Sequence, residues 1–467
     1  MKMWSGRFRQ PLDPDFEQWQ RSFPFDKVLL NQELAASGAH ARALKEAGIL
    51  DSAELIAILQ GLEKIGEQAT LSPAFLDDNE AEDVHHFVEK QLVALIGDTG
   101  YKLHSGRSRN EQIATDLRLY VRANIDHLQA LLSDWLTVLI DRAEHAGDVA
   151  MPAYTHLQRA EPVLVAHWLL AYVEMFLRDA ERLADSRKRL NLCPLGSGAV
   201  AGATLPLDRR AMASSLDFAA PTANSIDATS DRDFILEFVN TLSMFALHLS
   251  RWAEEMILFS TQEFGFLHLP ESYSTGSSAM PQKRNPDLLE LTRAKSARIL
   301  GDATSLMIAT KGLPLAYNKD LQETQEPLFD ATATAVSILP LVTGFMRAVE
   351  FDKVRMQEAA QTGFMNAWAA ATYLVKRGVP FRLAHEQIGK AVQWCLDKGC
   401  ELADLSLEEL RQLNPAFESD FYSCLTLESV LAIHDVAGGT APEQVRRAIS
   451  DAKNKLISLR GEVHAHA

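Results

Sequence analysis

Residues Ser274–Asp287, STGSSAMPQKRNPD, place the hydroxyls of Ser277 and Ser278 beside Gly276, and set Lys283, Arg284 and Asn285 between Pro281 and Pro286. Each proline removes a backbone donor and biases the residue before it away from the helical region, so this stretch reads as a loop. Gly276 lets the backbone next to the hydroxyls take unusual φ/ψ. A polar, cationic loop between long helices is suited to close over an anionic substrate. Composition alone equally fits a solvated connector.

Two further segments carry chemistry-bearing residues. Lys102–Gln112, KLHSGRSRNEQ, gathers Ser105, Arg107, Ser108, Arg109 and Asn110 just before the first long helix. Free N–H groups and the positive end of a helix dipole favour an anion there, and arginine and hydroxyl donors suit a carboxylate. A capped helix start with solvated arginines is the alternative. Pro152–Pro162, PAYTHLQRAEP, also precedes a long helix and sets Thr155 beside His156. A lone histidine is usually packed or on the surface. Here Glu290, just beyond the cationic loop, could orient the imidazole, and Ser277 could share its substrate. The cluster Glu82–Glu89, EDVHHFVE, has adjacent histidines that point about 100° apart on a helix and lacks the HExxH spacing, so no metal is expected. Leu195–Pro206 carries Gly196, Gly198 and Gly202 without the dinucleotide fingerprint and reads as a tight structural loop.

Long helices must position these segments. Asn110–Ala146 contains no Gly or Pro across 37 residues, and Asp231–Phe264 none across 34. At 1.5 Å per residue each spans roughly 50 Å. In the second, Ile235, Phe238, Val239, Leu242, Phe245, Ala246, Leu249, Trp252, Met256 and Phe259 recur every three or four residues. Leu236, Met244, Leu247, Ile257 and Leu258 add apolar character off that stripe, which asks for burial on more than one face. Helices are also expected over Pro162–Leu190, Pro286–Lys311 and Pro327–Ala360, the last interrupted by Pro340 and Gly344. Such wide apolar surfaces predict a bundle completed by other subunits. Thr440-Ala441-Pro442-Glu443 is expected to open the final helix as N-cap, early proline and capping-box glutamate. Three parts follow, with shorter elements flanking the long helices: an N-terminal region 1–107, a central region 108–360 and a small C-terminal region 361–467.

The 467 residues suffice for about three domains. Against 46 basic residues stand 62 acidic ones, a net charge of −16, which argues against nucleic acid as principal partner and gives weight to cations clustered in motifs. The four cysteines, Cys193, Cys395, Cys400 and Cys424, form no CxxC pair and are expected to be reduced, buried thiols. Residues 1–16 lack the apolar run of a signal peptide, and the least charged stretch, Ala331–Met346, is short for a membrane span; a cytoplasmic protein is expected.

Gly276-Ser277-Ser278-x-Met280-Pro281-x-Lys283-x-Asn285-Pro286 resembles the signature loop of the fumarase/aspartase superfamily, whose members eliminate fumarate from succinyl-containing substrates. Met3-Trp4-Ser5-Gly6-Arg7-Phe8, Gly106–Asn110, Thr155-His156-Leu157-Gln158, Tyr317–Glu323, Gly378–Arg382 and Gly439–Pro442 resemble the argininosuccinate lyase family over essentially the whole chain. The resemblance implies an all-α homotetramer whose active sites each draw on three subunits, with no cofactor and no metal. It implies cleavage of argininosuccinate to arginine and fumarate. It implies Ser277 as the base, Lys283 and Asn285 on the carboxylate where charge builds, and His156, oriented by Glu290, as acid or as relay through water. It further implies Thr155, Ser108, Arg109 and Asn110 around the fumarate half, Tyr317 and Gln322 around the arginine half, and Ser22, His85 and Arg232 as further contacts. Two positions depart from the family. Gln325 stands where a lysine is usual, and Arg284 replaces a frequent lysine. A related lyase acting on another N-substituted aspartate, such as adenylosuccinate, shares the loop, and a non-catalytic lens-crystallin role uses the same fold.

Overall fold

The computed structural model describes residues 9–465, with side chains to residue 460, so the opening motif Met3–Phe8 lies outside the described residues. The fold is all-α. The helices used below are α1 (Leu30–Glu46), α2 (Ser52–Leu71), α3 (Val84–Ile96), α4 (Arg109–Ala146), α5 (Val165–Leu190), α6 (Asp233–Ser260), α7 (Asp287–Thr310), α8 (Gln325–Ala348), α9 (Ala367–Lys376), α10 (Phe381–Lys398) and α11 (Pro442–Ala465). Strands among the described residues pair only two by two.

The chain divides into two compact units. One comprises the chain up to Leu128 with Arg182–Ser243 and Arg298–Ala335; the other comprises Gln129–Glu181, Met244–Ala297 and the chain from Val336. Helices α4 to α8 each contribute residues to both. In the first unit Ala36, Ala39 and Ala43 of α1 pack with Leu119, Met212 and Phe218, and Phe23 stacks on Phe87 at 4.8 Å. In the second, Trp135 meets Trp252 edge-on at 5.0 Å, and Trp252 meets Phe345 at 5.7 Å. A separate core within this unit joins Leu374, Ile388, Cys395, Leu410, Phe417 and Phe421, centred on α9 and α10. All four cysteines are free, Cys193 and Cys395 buried and Cys400 and Cys424 half-buried.

The ten-residue stripe of α6 is buried throughout, while Met244 and Leu247 off the stripe are 39% and 40% exposed. One chain therefore leaves part of the apolar surface wet. Three expectations are corrected. Pro162 does not begin a helix: it lies in the strand Gln158–Leu164, opposite Pro152 of Ala150–Thr155, and α5 starts at Val165. Pro340 does not interrupt α8. It sits on the exposed face, where water can satisfy the carbonyl it frees, between buried Leu339 and Val342. Gly344 is required by a neighbour rather than by a helix end, since a Cβ there would stand 2.0 Å from the Tyr273 hydroxyl. Thr440 does not cap α11; its hydroxyl accepts the Leu164 N–H at 2.9 Å. The run Lys319–Ala348 is long and apolar enough to cross a membrane, but Leu328, Ala331, Ala335, Leu339, Val342 and Phe345 are buried as core.

Candidate active site

The first unit gathers six of the expected residues around one cavity of about 150 Å³: Ser22, His85, Arg109, Asn110, Tyr317 and Gln322. Local chemistry explains how these distant segments are held. Asp83 accepts the His86 N–H at 2.7 Å as N-cap of α3, which fixes His85 one position earlier. The other Asp83 oxygen takes the Arg109 guanidinium at 2.7 Å, so the start of α4 is pinned to the start of α3. Ser22 donates to Asp26 at 2.6 Å, and Asp26 accepts the Val84 N–H at 3.0 Å. Burial, reinforced by Asp83, pushes the Asp26 carboxyl up to about 7. Gln322 donates to the Gln20 carbonyl at 3.2 Å.

Ser108 and Arg232 do not line the cavity. The Ser108 hydroxyl accepts the Asn110 N–H at 3.3 Å and so shapes the first turn of α4. Arg232 is buried, with Nη1 donating to the Asp231 carbonyl and with Nε and Nη2 unpartnered among the described residues. Burial lowers its guanidinium to about 10 despite the nearby Tyr317 phenol. The tight loop at 195–206 supports the same helix start, since the Gly198 N–H donates to Glu111 at 2.9 Å. Sequence reasoning missed Asp26, Asp83 and Lys319 as lining residues. Asp83 could have been found as an N-cap before the apolar run of α3.

Gln325, the departure noted above, also lines the cavity; it is 3% exposed and its Oε1 has no partner among the described residues. A lysine there would add a cation beside Arg109 and His85. The amide instead offers a neutral acceptor and donor.

The second unit holds the remaining expected residues. Thr275 pairs with Asn285, and Gly276 with Arg284, so the signature segment is a short hairpin that continues directly into α7. Arg284 fastens it by donating to the Leu269 carbonyl at 2.8 Å and to Glu271 at 2.9 Å, and Thr275 donates to Asp287 at 2.6 Å. At its tip the Ser277 oxygen accepts the backbone N–H groups of Ala279 at 3.3 Å and Met280 at 3.1 Å. Asn285 reaches back to Gly276 O at 3.4 Å, and the Lys283 side chain is exposed. The Thr155–Gln158 pair closes a two-residue turn whose central residues, His156 and Leu157, have φ of 55° and 57°. That is the primed geometry that follows strand twist, here taken by non-glycine residues at a cost in strain. His156 and Glu290 are both exposed, and among the described residues they form no ion pair with each other.

Residues 6–301 match the family described as lyase, and residues 364–432 match the argininosuccinate lyase C-terminal family. The argininosuccinate lyase of Koribacter versatilis is 61% identical, with 99% of each chain covered. The chain belongs to the argininosuccinate lyase family. The argininosuccinate lyase of Acidobacterium capsulatum is 60% identical over 99% of this chain and 97% of its own. Among solved structures, an EDDS lyase variant with bound fumarate superposes with a TM-score of 0.86 at 26% identity, covering 98% of this chain and 93% of the other. A class II fumarase from Schistosoma mansoni, 17% identical with a TM-score of 0.73 over 86% of this chain and 90% of its own, shares the fold. As a member of this family the chain is a carbon–nitrogen lyase of the fumarase/aspartase superfamily.

Proposed function

We propose that the protein cleaves argininosuccinate reversibly into arginine and fumarate in the cytoplasm, as a step of arginine biosynthesis. The observation that carries this reading is the cavity in which the Gly106–Asn110 run and the Tyr317–Glu323 run meet with Ser22 and His85. Elimination requires removal of a weakly acidic proton beside a carboxylate, stabilisation of the doubly charged intermediate, and a proton for the leaving nitrogen. Ser277 is the base. The two N–H groups already directed at its oxygen are the donors an alkoxide there would need. Lys283 and Asn285 hold the carboxylate on which charge builds. His156, oriented by Glu290, supplies the leaving-group proton directly or through water. Thr155, Ser108, Arg109 and Asn110 hold the fumarate half, Tyr317 and Gln322 the arginine half, with Ser22, His85 and Arg232 as further contacts. These steps call for no cofactor and no metal.

The working form is a homotetramer whose active sites combine segments of three subunits. Support comes from the exposed apolar side chains of the long helices, Met244, Leu247, Leu291, Met307, Ile308 and Leu341. The exposed positions of His156 and Glu290 also fit partners that arrive from other chains.

Gln325 favours one second reading, a lyase for another N-substituted aspartate, because a buried neutral amide replaces a cation in the cavity. A single assay separates the readings: ultraviolet absorbance of fumarate is followed with argininosuccinate, adenylosuccinate, aspartate and malate offered in turn. Fumarate from argininosuccinate alone is the expected result. Preference for adenylosuccinate overturns the first reading, and no turnover of any of the four leaves the non-catalytic role.

A further inference from the structure

Behind the His85 ring, away from the cavity, lies a polar cluster whose two carboxyls no step above uses. Glu33 of α1 and Asp116 of α4 are 1% and 0% exposed, and His85 of α3 is 5% exposed. Their ligand-type atoms lie within 4.8 Å of one another. His85 Nδ1 is 2.8 Å from a Glu33 oxygen and 3.7 Å from Asp116. The other Glu33 oxygen accepts from Ser37 at 2.6 Å and Gln112 at 3.2 Å, with the Arg107 guanidinium 3.8 Å away. Nδ1 is thereby committed to Glu33. Among the described residues His85 Nε2 has no partner; it is buried, on a ring that lines the cavity.

We propose that Glu33 is the positioning residue of His85, holding its imidazole as a cation with Nε2–H left for a carboxylate of the substrate. This deepens the functional reading above and rests on it. The charges around the ring agree. Burial alone would push the imidazole down, but Glu33, Asp83 and Asp26 outweigh it and hold it up. Burial would raise Glu33, yet His85 and Arg107 bring it to about 2. Asp116 is raised well above its ordinary value by burial and by Glu33, which makes Glu33 the stronger acid of the two carboxyls beside the ring. The charged neighbours come from every element packed around the ring: Glu33 on α1, Asp26 ahead of it, Asp83 at the cap of α3 and Glu89 one turn along that helix, Arg107 and Arg109 at the start of α4, Asp116 within α4, Lys319, which lines the same cavity, and His104, itself lowered to about 4 by burial and Arg107. A metal ion held between Glu33, Asp116 and Nδ1 would have to displace the hydrogen bond from the ring to Glu33 and would sit beside the Arg107 cation, 3.8 Å from Glu33.

The test compares wild type with Glu33→Gln, Glu33→Asp, His85→Gln and Glu33→Gln/His85→Gln, each checked for its melting midpoint. Fumarate release from argininosuccinate gives kcat and KM between pH 6 and 9.5. Hydrogen–deuterium exchange at histidine Cε1, read by mass spectrometry with His85→Gln to identify the signal, gives the titration of His85. In Glu33→Gln, His85 should titrate below about pH 6, as a buried imidazole without its carboxylate does. KM at pH 8 should rise at least about tenfold, recovering as the pH is lowered, while kcat moves by less than about threefold. Glu33→Asp, which keeps the charge on a shorter side chain, should lower the His85 titration and raise KM together but by less than Glu33→Gln does, and Glu33→Gln should add less than about twofold in the His85→Gln background. An unchanged His85 titration, an unchanged KM, multiplying effects in the double variant, or a stoichiometric metal ion in the purified protein overturns the proposal. If Glu33→Gln does not fold, Glu33→Asp carries the test, because its shorter side chain must lower the His85 titration and raise KM together. A wild type that releases no fumarate from argininosuccinate sinks the functional reading instead, and the exchange measurement still decides whether Glu33 holds the charge on His85.

Discussion

Replacing Ser277 with alanine should separate chemistry from folding. The hydroxyl lies half-buried at a hairpin tip, where it accepts two backbone N–H groups at 3.3 and 3.1 Å and makes no other hydrogen bond among the described residues. Without it those two amides turn to water, and since a net hydrogen bond is worth about 0.5–1.5 kcal/mol even where water is excluded, the stability loss should stay near 1 kcal/mol or below. The fixings made by Arg284 and Thr275 are untouched, so the hairpin keeps its shape. The catalytic loss is of another order. A positioned base contributes roughly 10²–10⁴ in rate, and at about 1.4 kcal/mol per decade that is some 3–5 kcal/mol of barrier. Turnover by Ser277→Ala, followed as fumarate absorbance under saturating argininosuccinate, should fall at least about 10²–10³-fold with the unfolding midpoint nearly unmoved. Turnover within tenfold of wild type in a protein with a normal midpoint refutes Ser277 as the base and removes the meaning given to its two N–H donors.

Mixing inactive His156→Asn with inactive Ser277→Ala under conditions that exchange subunits should restore turnover above the sum of the two; confirmed exchange without recovery counts against shared sites. Thr440→Val should cost about 1–3 kcal/mol in denaturant unfolding by leaving the buried Leu164 N–H unpaired, whereas Thr440→Ser should cost far less; equal losses mean that packing, not the bond, matters there. His40 is held near 3 by burial and Arg107, so it stays neutral in the folded chain while the unfolded chain takes up a proton at about 6.5. Its contribution to stability is complete above that pH and is lost as the pH falls from about 6.5 towards 3. His40→Gln should flatten the slope of unfolding free energy in this window; an unaltered slope refutes the assignment.

Much of this was legible in the residues, for reasons that differ by element. The breaker-free runs located α4 and α6 to within a few residues, because uninterrupted 3.6-residue periodicity over such lengths has few other solutions. The hairpin carrying His156 was missed because its turn uses His and Leu at positive φ rather than the Asn-Gly that usually announces one, and its flanking prolines suggested a helix start. Proline was over-read in α8, since only a fold reveals which face of a helix meets water. The cavity residues came from short motifs, yet what supports them did not. Glu33 lies 52 residues before His85 in a helix with no other sign of function. His85 and His86 look alike in sequence, but one faces Glu33 while the other accepts the Glu82 N–H. Tertiary neighbours, not local pattern, decide such roles.

The hydrogen bond between Leu164 and Thr440 has a consequence for the order in which the molecule is completed. The hairpin that presents His156 can pair its own strands as soon as residue 164 has been made. The amide at its base waits for an acceptor 276 residues further on. A growing chain therefore carries this histidine on an incompletely anchored hairpin until residue 440 has been made, and a chain cut short before that residue would have the proposed proton donor and yet lack what steadies it.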